Sequence, residues 1–178
     1  MHKINKNILD LLIRYVLLII LGLPFLGVFY LLFTPLTIYP VYFLLNLFYS
    51  VSLFGNILVV KGVAIEIISA CIAGSAYYLF FILNLSVSKI KISKRIKMLL
   101  IAFAFFLLVN ILRIFFLSIL YLSGSSWFDF THELFWYLIS IVFVVLIWFW
   151  EIRKFKIKEI PFYSDLKFIY NSSSLKKY

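Results

Sequence analysis

This chain of 178 residues has a single cysteine, Cys71, and two histidines, one of them at position 2. That scarcity excludes an internal disulfide and a cysteine-rich metal centre, and two histidines make no ligand set, so neither metal nor cofactor is expected. Charge is scarce as well: Asp, Glu, Lys and Arg together make up 13% of the residues, against about 25% in soluble domains. A soluble globular domain is therefore excluded. Acidic residues number 7 against 17 basic ones, but the basic residues flank apolar segments instead of forming one continuous face. That arrangement argues for retention on the cytoplasmic side of a bilayer, and no nucleic-acid partner is expected. Internal repeats and Gly/Ser linkers are missing, which leaves one membrane-embedded domain at residues 1–160 and a loosely ordered cytoplasmic tail at 161–178.

What the chain has in abundance is apolar surface: 65% hydrophobic, 21% aromatic, mean hydropathy +1.11. An all-α integral membrane protein follows. Four stretches, 11–33, 67–87, 98–122 and about 130–150, reach the roughly 20 residues that a helix needs to cross a hydrocarbon core. The first is longer than a signal-peptide core and no small-residue cleavage site follows it, so it is expected as an anchor. Lys3, Lys6 and Arg14 mark the N-terminus as cytoplasmic; Lys89, Lys91, Lys94, Arg95 and Lys97 mark the connection after the second span; Arg153, Lys154, Lys156 and Lys158 mark the C-terminal end. The expected topology is a multi-pass plasma-membrane protein with about four transmembrane helices and both termini inside. Residues 41–54 are apolar but short and follow Pro35 and Pro40, so they are expected on the outer interface or as a re-entrant segment. Residues 57–60 and 63–67 read as two extended segments around a Lys61-Gly62 turn.

Polar groups inside such spans are costly, roughly 2.5–3.5 kcal/mol for a charge at mid-depth on insertion scales, and so point to function. Counting about 1.5 Å per helical residue from the inner end of each span puts Cys71 at roughly 24 Å, Arg113 at roughly 22 Å and His132 at roughly 27 Å. Three helices thus bring a thiol, a permanent cation and an imidazole to one height in the outer third of the membrane. A thiol attacks a carbonyl as thiolate, which a guanidinium stabilises and an imidazole generates by accepting the proton. Arg113 also suits an oxyanion, and His132 suits protonation of a leaving amine. The bland readings stand beside these: Cys71 as a small buried hydrophobe, Arg113 as a partner of Asn110 and backbone carbonyls, His132 as an interfacial helix start. Asn110, one turn before Arg113, suits structural support across helices. Asp129 is either an orienter of the His132 ring or a solvated loop carboxylate, and Glu66 either a surface charge or a substrate contact.

Ala70-Cys71-Ile72-Ala73-Gly74-Ser75 after an extended lead-in, then Asn110-Ile111-Leu112-Arg113-Ile114, then His132 at the head of the next span resemble the exosortase/archaeosortase family of membrane-embedded cysteine transpeptidases. The resemblance covers roughly residues 55–150 and is that of a compact, archaeal-like member. Where that family often has Cys-Ser-Gly, this chain has Cys71-Ile72-Ala73-Gly74. The resemblance implies Cys71 as nucleophile, Arg113 as the essential cation and His132 as general acid/base. It implies as substrates secreted proteins whose C-terminal signal joins a short motif, a transmembrane helix and a basic tail. Cleavage falls on the outer face, with a lipid, another surface acceptor or water resolving the thioester. The competing expectation is a membrane-embedded small-molecule-binding or transporter subunit without peptidase activity, in which Arg113 holds an anionic ligand and Cys71 has no task.

Overall fold

The computed structural model describes residues 2–22, 26–135 and 140–172. Among these the chain is mostly helical: α1 (His2–Gly22), α2 (Gly27–Asn46), the single turn α3 (Ser69–Ile72), α4 (Gly74–Leu85), α5 (Ile92–Leu122), α6 (Phe128–Leu134), α7 (Ser140–Lys154) and α8 (Tyr163–Ser172). Between α2 and α3 stands an antiparallel meander of β1 (Val51–Phe54), β2 (Ile57–Val60) and β3 (Val63–Glu66). Its β2–β3 turn is the expected Lys61-Gly62 pair, with φ of 52° and 79°. Positive φ at both central residues is the type I′ geometry that suits the right-handed twist of a hairpin. The all-α expectation thus needs a correction: β1 joins the two foreseen segments in a small sheet.

Among the described residues two helices are long and apolar enough to cross a membrane, α2 and α5, with mean hydropathy 1.8 and 2.6. Neither of the first two expected spans is one continuous helix. Residues 11–33 are divided between α1 and α2, with Leu26 left-handed at φ 62° just before α2 begins. Residues 67–87 are broken at Ala73, between α3 and α4. Residues 136–139 of the fourth expected span, Trp136 included, lie outside the described residues. The segment 41–54 is not an element of its own. Its first half completes α2, where Val41 and Leu45 are fully buried, and its end is β1. Pro35 and Pro40 sit inside α2 without ending it. A proline removes one helical hydrogen bond, a loss that burial against neighbouring helices compensates.

Contacts give the course of each helix. Arg14 donates to the Leu85 carbonyl at 2.7 Å and Tyr78 donates to the Leu18 carbonyl at 2.8 Å, so α1 and α4 are antiparallel. Farther along, α2 passes Phe29 beside Tyr78 and Phe81, then Phe33 flat on Tyr77 with ring centroids 3.5 Å apart. Phe103 and Phe106 of α5 meet Tyr77 edge-on at 5.6 and 5.1 Å. This aromatic layer is the centre of the core; α2 and α5 continue past it to the pair Phe48–Phe115. The sheet joins the same core through Leu58, which is fully buried.

The opposite end is closed by arginines. Arg14 and Arg95 donate to the carbonyls of Asn84, Leu85 and Val87 at the last turn of α4, where orphan acceptors and the helix dipole favour cations. Arg14 also grips Asp165 with both guanidinium nitrogens at 2.9 and 2.8 Å, and Asp165 is 2% exposed. The tail is therefore not loosely ordered over its described part: α8 is tied by a buried ion pair to α1.

Candidate functional site

Chain geometry sets Cys71 at a junction of strand and helix. Beyond β3 the backbone stays extended, Ile67 donating to the Asn56 carbonyl at 2.9 Å and Ile68 holding φ −80°, ψ 167°. A single helical turn follows, in which the Cys71 amide donates to the Ile68 carbonyl at 2.8 Å. Ala73 then turns left-handed at φ 57°, ψ 43°. For a residue with a Cβ that conformation costs about 1–2 kcal/mol, so packing must hold it. The next residue supplies the reason. A Cβ on Gly74 would lie 2.8 Å from the ring of Tyr30, so only glycine lets α4 begin against α2 here.

A helix leaves its last carbonyls without internal donors. In the one-turn α3 the Cys71 carbonyl is such a group, and α5 provides for it. Asn110, buried to 2% exposure, donates its amide to that oxygen at 2.9 Å, and Arg113 reaches it at 3.5 Å. The cross-helix bond expected of Asn110 therefore exists, and it ends on the backbone of the candidate nucleophile itself.

Beside this junction opens a cavity of about 230 Å³. Cys71, Arg113 and His132 all line it, and so does Glu66. Each of the first three is half-buried. His132 arrives on α6, its ring stacked on Phe128 at 5.4 Å and 9° between planes. Asp129 is exposed and not part of the lining. Glu66 is exposed at the rim, where the Asn56 side chain donates to its carboxylate at 3.1 Å. The cavity thus combines a thiol, a guanidinium, an imidazole and a carboxylate with mostly apolar walls. A nucleophile, a cation for developing negative charge and a proton carrier are the parts an acyl transfer needs.

Three residues of this site were not foreseen. Asn56 fixes Glu66 and the exit from β3, which only the hairpin register discloses. Ser118 and Tyr121 line the cavity from the Arg113 face of α5. Their signal was present: positions 117, 118 and 121 recur from 113 and 114 with the helical period, so they share that face. Compared with known proteins, the chain matches no family model, no curated protein and no solved structure.

Proposed function

We propose that this chain is a membrane-embedded cysteine peptidase/transpeptidase of the exosortase/archaeosortase type, acting on C-terminal sorting signals at the outer face of the plasma membrane. The observation that carries the reading is that Cys71, Arg113 and His132, from three separate segments, border one cavity. In the proposed reaction His132 takes the thiol proton and the Cys71 sulfur attacks the scissile carbonyl carbon. Arg113 stabilises first the thiolate and then the oxyanion. As the C–N bond breaks, His132 returns the proton to the leaving amine, and a thioester remains on Cys71. An amine on a lipid or other surface acceptor, or water, attacks the thioester, releases the product and restores the thiol.

Four crossings with both termini cytoplasmic accompany this reading. The first is made by α1 and α2 in succession, the second by α3 and α4, the third by α5 and the fourth by α6 and α7. Support comes from charge: Arg14, Lys89, Arg95 and Lys154 gather at the end remote from the cavity. Substrates in this reading are secreted proteins carrying a short motif, a transmembrane helix and a basic tail, the helix docking laterally against the bundle.

The test compares the C-termini of surface proteins from cells carrying the native chain or Cys71→Ala. Loss of processing of motif–helix–tail proteins in the variant is the expected result. Identical C-termini in both cells would sink the reading.

A further inference from the structure

The hairpin register sorts the backbone groups of β3 into two sets. Val60 and Val63 flank the two-residue turn and exchange hydrogen bonds across it, and the ladder repeats every second residue. Val63, Ile65 and Ile67 therefore direct their N–H and C=O groups at β2, the last confirmed by its 2.9 Å bond to Asn56. Ala64 and Glu66 direct theirs away from the sheet. The sheet order ends at β3, and among the described residues no backbone bond is formed on that side.

What lies on that side is the candidate site. Ala64, Ile65, Glu66 and Ile67 all line the cavity that holds Cys71. Successive strand residues project to opposite faces of a sheet, so a cavity lined by four in a row runs along the edge of the strand and not over one face. Unpaired strand edges are templates for another strand, and proteins usually cover or blunt them. Here the edge opens onto the thiol.

We infer that β3 is a docking edge. An extended peptide, the segment leading to the bond that Cys71 attacks, pairs with Ala64 and Glu66 as a fourth strand. The pairing is parallel to β3, because a chain whose reacting carbonyl is at Cys71 and whose preceding residues lie along Ile67 to Ala64 runs in the direction of β3. Main-chain bonds supply affinity in such strand addition, and neighbouring side chains supply preference. Glu66, its carboxylate fixed by the Asn56 side chain, selects a basic side chain next to it. This inference rests on the peptidase reading and adds to it how the peptide is held.

The test uses the full chain in nanodiscs and follows the adduct on the lone cysteine by peptide mass spectrometry, which separates it from any adduct on His132. The probes are acetylated hexapeptide chloromethyl ketones of alternating threonine and valine, with chloroacetone as the small control. The peptides are expected to alkylate Cys71 at least tenfold faster than chloroacetone. Methylating the edge-facing peptide nitrogens, or introducing Ala64→Pro, is expected to remove about tenfold of that rate, the scale of one to two hydrogen bonds, with the chloroacetone rate unchanged. Ala64→Pro deletes an N–H that points away from β2, so the hairpin keeps its own ladder; the methylated peptides leave the protein untouched altogether. Lysine scanned through the peptide should accelerate labelling at one position over glutamate, an advantage that Glu66→Gln abolishes. Peptides no faster than chloroacetone, indifference to methylation at every position, or a thiol that neither reagent reaches would each overturn the inference. Alkylation needs only an accessible thiol, so its failure is distinct from failure of processing in the Cys71→Ala comparison.

Discussion

Gly74 controls more of the site than its size suggests. It lets α4 start hard against the Tyr30 ring, directly after the left-handed Ala73 and the separate helical turn that carries Cys71. Gly74→Ala forces 2.8 Å contacts with an aromatic ring and should cost about 1–3 kcal/mol, a fall in Tm of a few degrees by thermal unfolding in detergent. Tyr30→Leu in the same chain should recover much of the loss, and no recovery would show that the strain lies elsewhere. At Arg113 the guanidinium and not charge alone is at issue. Arg113→Lys keeps the cation but loses the fork, and cleavage should fall about 10²–10³-fold in the processing assay, with Cys71 still open to alkylation. Retained cleavage would assign Arg113 to the bundle alone. Cys71, Arg113 and His132 were legible as candidates because such side chains are rare in apolar segments. Ala73 was not legible, since nothing local in alanine asks for a left-handed conformation.

Among the elements, α8 departs most from expectation. Its composition is that of a solvated tail, yet Asp165 is buried against Arg14. Removing one partner of a buried pair leaves an uncompensated charge, about 3–5 kcal/mol in comparable cases. Asp165→Ala should therefore destabilise the chain strongly and expose α8 to limited proteolysis, whereas Arg14→Met with Asp165→Leu should cost much less. Equal losses in the two variants would deny the pair its proposed weight. Nearby, hydrogen bonds from Ser164 and Lys89 hold the Glu159 carboxyl below its usual range. A carboxyl depressed in the folded state stabilises above its unfolded pKa, about 4.3, and that contribution is lost as pH falls through the folded value. Proteolysis of α8 should accordingly quicken below about pH 4, modestly, because the Lys89–Glu159 pair is solvent-exposed. A flat profile between pH 4 and pH 7 with a rise only below is the expected curve. Boundaries were the least readable feature at this scale: hydropathy registers the content of a window, and a left-handed residue such as Leu26 or Ala73 barely alters it.

For the molecule as a whole, the proposed topology sets the cavity on the outer side. A membrane-impermeant maleimide added to intact cells should label Cys71, and labelling only after inner-face access would reverse the orientation. Apolar content, the basic clusters and the rare polar residues were all readable along the chain, because each is a property of residue type and local density. From them came the mostly helical architecture and the short list of candidate residues. Only the folded chain decided that residues 11–33 are divided between two helices and that Asn110 bonds the Cys71 backbone. It alone also showed that β3 presents its open edge to the same cavity as the thiol. The physical reason is that these are long-range agreements of shape and hydrogen bonding. A ring seated on a glycine, a carbonyl met across 39 positions and a strand edge left unpaired arise between segments, and no single segment encodes them.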